Sequence, residues 1–236
     1  LEGSPISTLS IARCQIGDST KAATLLSNSM CFLQSLTKLD LSGNILGPRC
    51  CEKLAEAFQS DGMQVVELNL SGNRFGAEGG QKIAESLSHL HNMHWLDVSD
   101  NDFDDDVCRE ISESLREIIS FGVVTRHCTI VHFEARNNNF GDEACSELIR
   151  AFANEVTHYI GLKNTGCGPL TGKEVGAGLR KPTISWERLD LAENELGKEG
   201  ANHVWWAMRK NHSVLDLDMS NNKIGPVFGT EADHLG

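Results

Sequence analysis

Apolar residues recur along the chain in one short pattern. Its clearest copy is Leu36-Thr37-Lys38-Leu39-Asp40-Leu41-Ser42-Gly43-Asn44. The pattern returns as Val65-x-x-Leu68-x-Leu70-x-x-Asn73, Met93-x-x-Leu96-x-Val98-x-x-Asn101 and Ile130-x-x-Phe133-x-Ala135-x-x-Asn138. It returns again as Trp186-x-x-Leu189-x-Leu191-x-x-Asn194 and Val214-x-x-Leu217-x-Met219-x-x-Asn222. Two weaker copies keep the register, Ile6-x-x-Leu9-x-Ile11-x-x-Cys14 and Thr157-x-x-Ile160-x-Leu162-x-x-Thr165. Alternating apolar positions predict a short strand with one face turned inward. The polar marker that follows predicts a turn, where an Asn side chain can bond backbone groups left unpaired by the curving chain.

Markers at Cys14, Asn44, Asn73, Asn101, Asn138, Thr165, Asn194 and Asn222 are spaced 30, 29, 28, 37, 27, 29 and 28 residues apart. After each comes an apolar anchor two residues on, then Gly at 17, 47, 76, 141, 168, 197 and 225, with Asp104 alone breaking that series. Glycine at a fixed place predicts a backbone conformation other residues adopt poorly. A helix-period stretch follows, as in Cys51-x-x-Leu54-x-x-x-Phe58 and Cys108-x-x-Ile111-x-x-x-Leu115. The single long interval contains Arg116 to Thr129, which predicts a lengthened helix with a looser connection or a partner-contacting loop.

This pattern resembles the leucine-rich repeat, L-x-x-L-x-L-x-x-N/C. A period near 28 residues with a full helix resembles its ribonuclease-inhibitor-like class, which also includes Ran GTPase-activating proteins and NOD-like receptors. The resemblance covers residues 5 to 225. It implies an α/β horseshoe solenoid of about eight repeats, parallel strands on the concave face and helices on the convex one. The chain reads as a single domain over 1–236. The start Leu1-Glu2-Gly3-Ser4-Pro5 has no initiator Met, and no polar cap is evident at either end, so a fragment of a longer chain is expected.

The fold class serves many roles, so function rests on the side chains. With 21 basic against 33 acidic residues the net charge is −12, which argues against nucleic-acid backbone binding. No apolar stretch is long enough for a membrane span. The eight cysteines lack any C-x-x-C pair, and most, Cys14 included, fall on repeat-core positions. Reduced thiols and a cytoplasmic location are expected. Phosphate-loop, nucleophile-elbow and H-E-x-x-H motifs are absent. Asp100 to Asp106 has Asp105 where a calcium loop needs Gly and Ile111 where it needs Glu. His89, His91 and His94 lack a convincing fourth ligand. No catalytic residue, metal or cofactor is assigned.

Residues beside an inward anchor point outward. After the middle anchor these are Ser10, Asp40, Asn69, Asp97, Glu134, Gly161, Asp190 and Asp218, an acidic row expected to be exposed. Before it they are Thr8, Lys38, Glu67, Trp95, His132, Tyr159, Arg188 and Asp216. Three consecutive repeats place rings there, in the manner of interface hot spots. The expected binding patch is therefore Trp95, His132 and Tyr159 with Asp97, Glu134, Arg136 and Arg188. On the convex side Trp206, preceded by Trp205, stands where other repeats carry Glu56, Glu85, Glu113, Arg150 and Ala177. That tryptophan pair is the candidate secondary interface, and Trp206 or the open ends could support self-association.

The leading reading is a non-catalytic protein-interaction scaffold, holding on its concave face a protein or peptide partner with a basic patch. One alternative is a GTPase activator resembling the Ran-directed family, with Arg13 as its best-placed arginine. The other is an inhibitor or sensor module of a larger receptor.

Overall fold

The structure, a computed structural model, describes residues 4–30, 32–60, 62–125, 130–153 and 156–225. Within them eight strands and seven helices alternate. The strands are β1 (Thr8–Ser10), β2 (Lys38–Asp40), β3 (Glu67–Asn69), β4 (Trp95–Asp97), β5 (His132–Glu134), β6 (Tyr159–Gly161), β7 (Arg188–Asp190) and β8 (Asp216–Asp218). The helices are α1 (Thr20–Met30), α2 (Gly47–Phe58), α3 (Gly76–Leu87), α4 (Asp105–Thr125), α5 (Asp142–Phe152), α6 (Pro169–Leu179) and α7 (Gly197–Met208). The strands form one open parallel sheet in chain order, each in the register the repeat predicts, so that Leu39, Leu68, Leu96, Phe133, Ile160, Leu189 and Leu217 lie side by side.

The curvature follows from two spacings. Parallel strands sit about 4.8 Å apart, whereas packed helices need about 8–10 Å. A layer of strands is therefore shorter than the layer of helices behind it, and the sheet becomes the inner face. Helix contacts are close where small residues allow them. A Cβ on Gly172 would stand 2.5 Å from the Gly200 backbone, and one on Gly80 would stand 2.6 Å from Phe103. Trp186, the bulkiest of the first strand anchors, is fully buried over Gly178, where a Cβ would meet the indole at 2.4 Å.

From Asn44 onward each turn is held by its marker, whereas Cys14 makes only a long Sγ contact with Ala12 O. Asn73 Nδ2 donates to the carbonyls of Leu41 (3.1 Å) and Leu70 (2.8 Å), and its Oδ1 accepts the Asn44 amide N–H at 3.0 Å. Asn44, Asn101, Asn138, Asn194 and Asn222 likewise each bridge two strands' carbonyls and accept a backbone N–H. Thr165 keeps half of the function: its hydroxyl donates to Leu162 O at 2.8 Å, and its own N–H goes to Asn194 Oδ1. The glycine after the anchor has positive φ at 17, 47, 76, 141, 197 and 225. Gly168 differs, with φ −130°, and is small because a Cβ there would press on the Asp142 carboxylate at 2.6 Å. Asp104 replaces glycine because its carboxylate accepts the Val107 N–H at 3.1 Å, capping α4.

The long interval lengthens a helix. α4 has 21 residues against 12 in α2 and α3. Residues 126–129, with Cys128, lie outside the described residues, as does Cys31. The six described cysteines are free. Cys51, Cys108, Cys145 and Cys167 are buried as expected and Cys50 is buried beside them, but Cys14 is exposed. It follows β1, the edge strand, so a neighbouring turn covers it on one side only.

Replacing Asn73 with Ala removes two donors and one acceptor from a site with no solvent exposure. The expected loss is about 1–3 kcal/mol for the groups left unpaired, read as a lower urea midpoint at unchanged slope.

Candidate functional site

The sheet register places the side chains before the middle anchors in one row across the concave face. Trp95 pairs with His132 and His132 with Tyr159. Their rings stack, with centroids 5.0 Å and 4.3 Å apart and planes inclined by 15° and 17°. The strand spacing is close to a stacking distance, so each ring covers the face of the next. All three are half-buried in consequence. The guanidinium of Arg188 continues the stack, 5.8 Å from the centroid of Tyr159.

The second row is not the open acidic ladder expected from alternation alone. Asp97 and Glu134 are buried, at 8% and 7% exposure. The chain turns just beyond each strand, and the residue two positions on presents its N–H to this side chain. Asp97 Oδ1 accepts from Ser99 N at 2.9 Å, and Glu134 Oε1 from Arg136 N at 3.1 Å. Asp40, Asn69, Asp190 and Asp218 bond Ser42, Ser71, Ala192 and Ser220 in the same way. The acidic residues therefore build turns as well as charge the face.

Glu134 Oε2 also accepts a hydrogen bond from the Tyr159 hydroxyl, with the oxygens 2.6 Å apart. Room for this comes from Gly161, a residue that sequence reasoning passed over. A Cβ there would lie 2.5 Å from Glu134 Oε1 and 2.7 Å from the Tyr159 oxygen. Its signal was present as the one residue without a side chain in the second row. Arg136 is exposed above this pair, 3.8 Å from Glu134 and 3.9 Å from Asp100. The rings thus come together with Glu134, Arg136 and Arg188, whereas Asp97 is buried on the Ser99 N–H of its own turn.

Burial sets the titration of the patch. It raises the Asp97 and Glu134 carboxyls above their ordinary range, against the hydrogen bonds from Ser99 and from Tyr159 and Arg136, which lower them. The Tyr159 hydroxyl is raised by burial first and then by its bond to Glu134. Burial, and after it the charge of Arg188, lowers His132 to about 4. His132 is therefore neutral between its two rings at neutral pH.

A hollow lies beyond each end of the ring row. One, of about 260 Å³, lies between Trp95 and β1 to β3. The other, of about 190 Å³, is bounded by Tyr159, Arg188, Asp190, Asp216 and Asp218. Of the other candidates, Arg13 is exposed on the turn after β1 with φ 56°. On the convex side the expectation for Trp206 is reversed. Trp205 is the exposed ring at 50%, while Trp206 is half-buried and carries the Arg209 guanidinium 4.4 Å from its centroid. Among the described residues no group of three or more His, Cys, Asp or Glu is arranged to hold a metal ion, and no helix is long and apolar enough to cross a membrane.

The low His132 value carries a pH dependence. The unfolded chain binds the proton near pH 6.5 and the folded chain only near 4, so the stability His132 contributes is lost as pH falls through that window. His132→Phe removes this loss. Urea midpoints of wild type and variant should converge or cross between pH 6.5 and 4, the wild type falling faster; parallel curves would contradict the assignment.

A leucine-rich repeat family model matches residues 32–55, 65–84 and 210–227. Over 221 residues, 93% of this chain, it is 24% identical to human NACHT, LRR and PYD domains-containing protein 12, spanning 20% of that protein. Over the same number of residues it is 22% identical to pig ribonuclease inhibitor, spanning 46% of it. A shorter match, 35% over 103 residues and 44% of this chain, is to human NACHT, LRR and PYD domains-containing protein 13, of which it spans 10%. The chain thus covers less than half the length of each of these relatives. The marker ladder, the single parallel sheet in chain order and these matches together support a leucine-rich repeat protein similar to the ribonuclease-inhibitor-like class.

Proposed function

We propose that this chain is a non-catalytic interaction module that holds a protein or peptide partner on its concave face. The observation that carries this reading is the continuous stack of Trp95, His132 and Tyr159 across three adjacent strands. Three half-buried rings in a row form a rigid apolar ridge with little side-chain entropy left to lose on binding. Rings of this kind beside arginines are what anchors of an interface look like. Arg136 and Arg188 flank the ridge, both exposed. Glu134 fixes the Tyr159 ring through its hydroxyl, and Asp97 is buried on the Ser99 N–H of its own turn.

The partner is a protein with a basic patch. The chain's net charge of −12 supports this, as do the outer oxygens of the turn-building carboxylates, which draw cationic groups toward the face. The same charge is unfavourable for nucleic acid. Free thiols at the six described cysteines fit a reducing, cytoplasmic setting. Trp205, the more exposed of the tryptophan pair, offers a second contact on the convex side.

Trp95→Ala should weaken the partner by about 2 kcal/mol or more, the hot-spot threshold, with a smaller effect on folding. The partner, recovered by pull-down, is titrated against wild type, Trp95→Ala and Tyr159→Ala by calorimetry. Equal affinities for all three, with Trp205→Ala the damaging change, would place the interface on the convex side.

A further inference from the structure

The ring row ends differently on its two sides. Toward β7 the order is ring, cation, carboxylate. Arg188 lies over Tyr159, and its Nε is 3.3 Å from Asp216 on the next strand. Toward β3 the order is ring, carboxylate, cation. Glu67 is the register neighbour of Trp95, and it pairs at 2.6 Å with Lys38 on β2. His132 covers one face of the indole. The other borders the 260 Å³ hollow, which Leu9 and Leu39 help to line with Asp40, Glu67 and Asn69.

An aromatic face carries negative electrostatic potential. A carboxylate is a poor neighbour for it, and a cation placed between the two is attracted by both. Lys38 does not fill that place, because it lies one strand beyond Glu67. The Lys38 and Glu67 side chains are 52% and 42% exposed, so the pair between them is weak and readily exchanged. Asp40 is also at hand. Its Oδ1 accepts from Ser42 N and its Oδ2 from Ser10 Oγ at 3.2 Å, and each oxygen keeps a further lone pair.

We propose that this hollow takes an arginine side chain of the partner, its guanidinium stacked on the outer face of Trp95 and bound by Glu67 and Asp40. The partner's arginine then does at Trp95 what Arg188, held by Asp216, does at Tyr159. The planar guanidinium can stack and bond a carboxylate through two N–H groups at once, which an ammonium cannot. This assignment rests on the concave-face reading and adds to it the chemistry of the contact.

The test uses the ¹⁵N-labelled chain and N-acetyl-arginine methylamide as the probe, with the Trp95 indole N–H followed by NMR and identified with Trp95→Phe. The expected result is a saturable shift of the Trp95 signal, with those of Trp186 and Trp205 unmoved. The lysine analogue should bind about fivefold more weakly, and Glu67→Gln should weaken the arginine probe by about fivefold or more. No shift at Trp95, an equal response to the lysine analogue, or indifference to Glu67→Gln overturns the proposal. The two readings fail separately. If Trp95→Ala abolishes partner binding while the probe leaves the indole unmoved, the concave-face reading stands and the arginine assignment falls. If the probe saturates while the partner is indifferent to Trp95→Ala, the concave-face reading falls and takes with it the assignment of that guanidinium to the partner.

Discussion

A chain that curves back every 28 residues or so must bury a turn at each pass, and a buried turn leaves peptide groups that no neighbouring strand can reach. The side-chain amide supplies the missing partners. In Asn44, Asn73, Asn101, Asn138, Asn194 and Asn222 it donates to carbonyls of its own and the preceding strand, and its oxygen takes a preceding backbone N–H. Each such residue thereby locks one repeat to the one before it. Registration of the whole sheet follows, because a strand displaced by one residue would break its own turn and its neighbour's.

That registration makes the concave face what it is. Rows of side chains stand at the strand spacing, so chemically like neighbours interact whether or not this is favourable. Rings gain, and Trp95, His132 and Tyr159 stack. Like charges lose: Asn69 separates Asp40 from Asp97 and Gly161 separates Glu134 from Asp190, while burial and, after it, the adjacent Asp97 raise the Glu134 carboxyl. Gly161 has a second effect. The space it leaves lets the Tyr159 hydroxyl reach Glu134, which ties the two rows together at the centre of the proposed interface.

Strand register, marker bonds and ring stacking could all be read from the residues, since each depends only on position within a repeat. The burial of Asp97 and Glu134 could not. Alternation places them on the outward face; the N–H two residues on draws each carboxylate back to its turn, and Glu134 also holds the Tyr159 hydroxyl over it. Trp206 is half-buried for a related reason. Matching helix positions place it outward, but the Arg209 guanidinium over its ring comes from the residue that caps the same helix and is invisible to the period. Cys14 fits the repeat, but β1 has a neighbouring strand on one side only. Thr165 departs from the marker residue and still donates to Leu162 O, so the geometry of the turn tolerates a shorter donor once Asn194 takes three successive backbone N–H groups beside it.

The ladder is the claim on which the rest depends, and native-state hydrogen exchange tests it directly. The amides of Asn44, Asn73 and Asn101 are bonded to side-chain oxygens of the following repeats, at 3.0, 2.9 and 3.2 Å, in buried turns. They should exchange only through cooperative opening of the repeats, as slowly as amides of the sheet and helices. If they exchange at the rate of an exposed turn such as Gly62, the asparagines do not hold the turns, and the account of the register built on them is wrong.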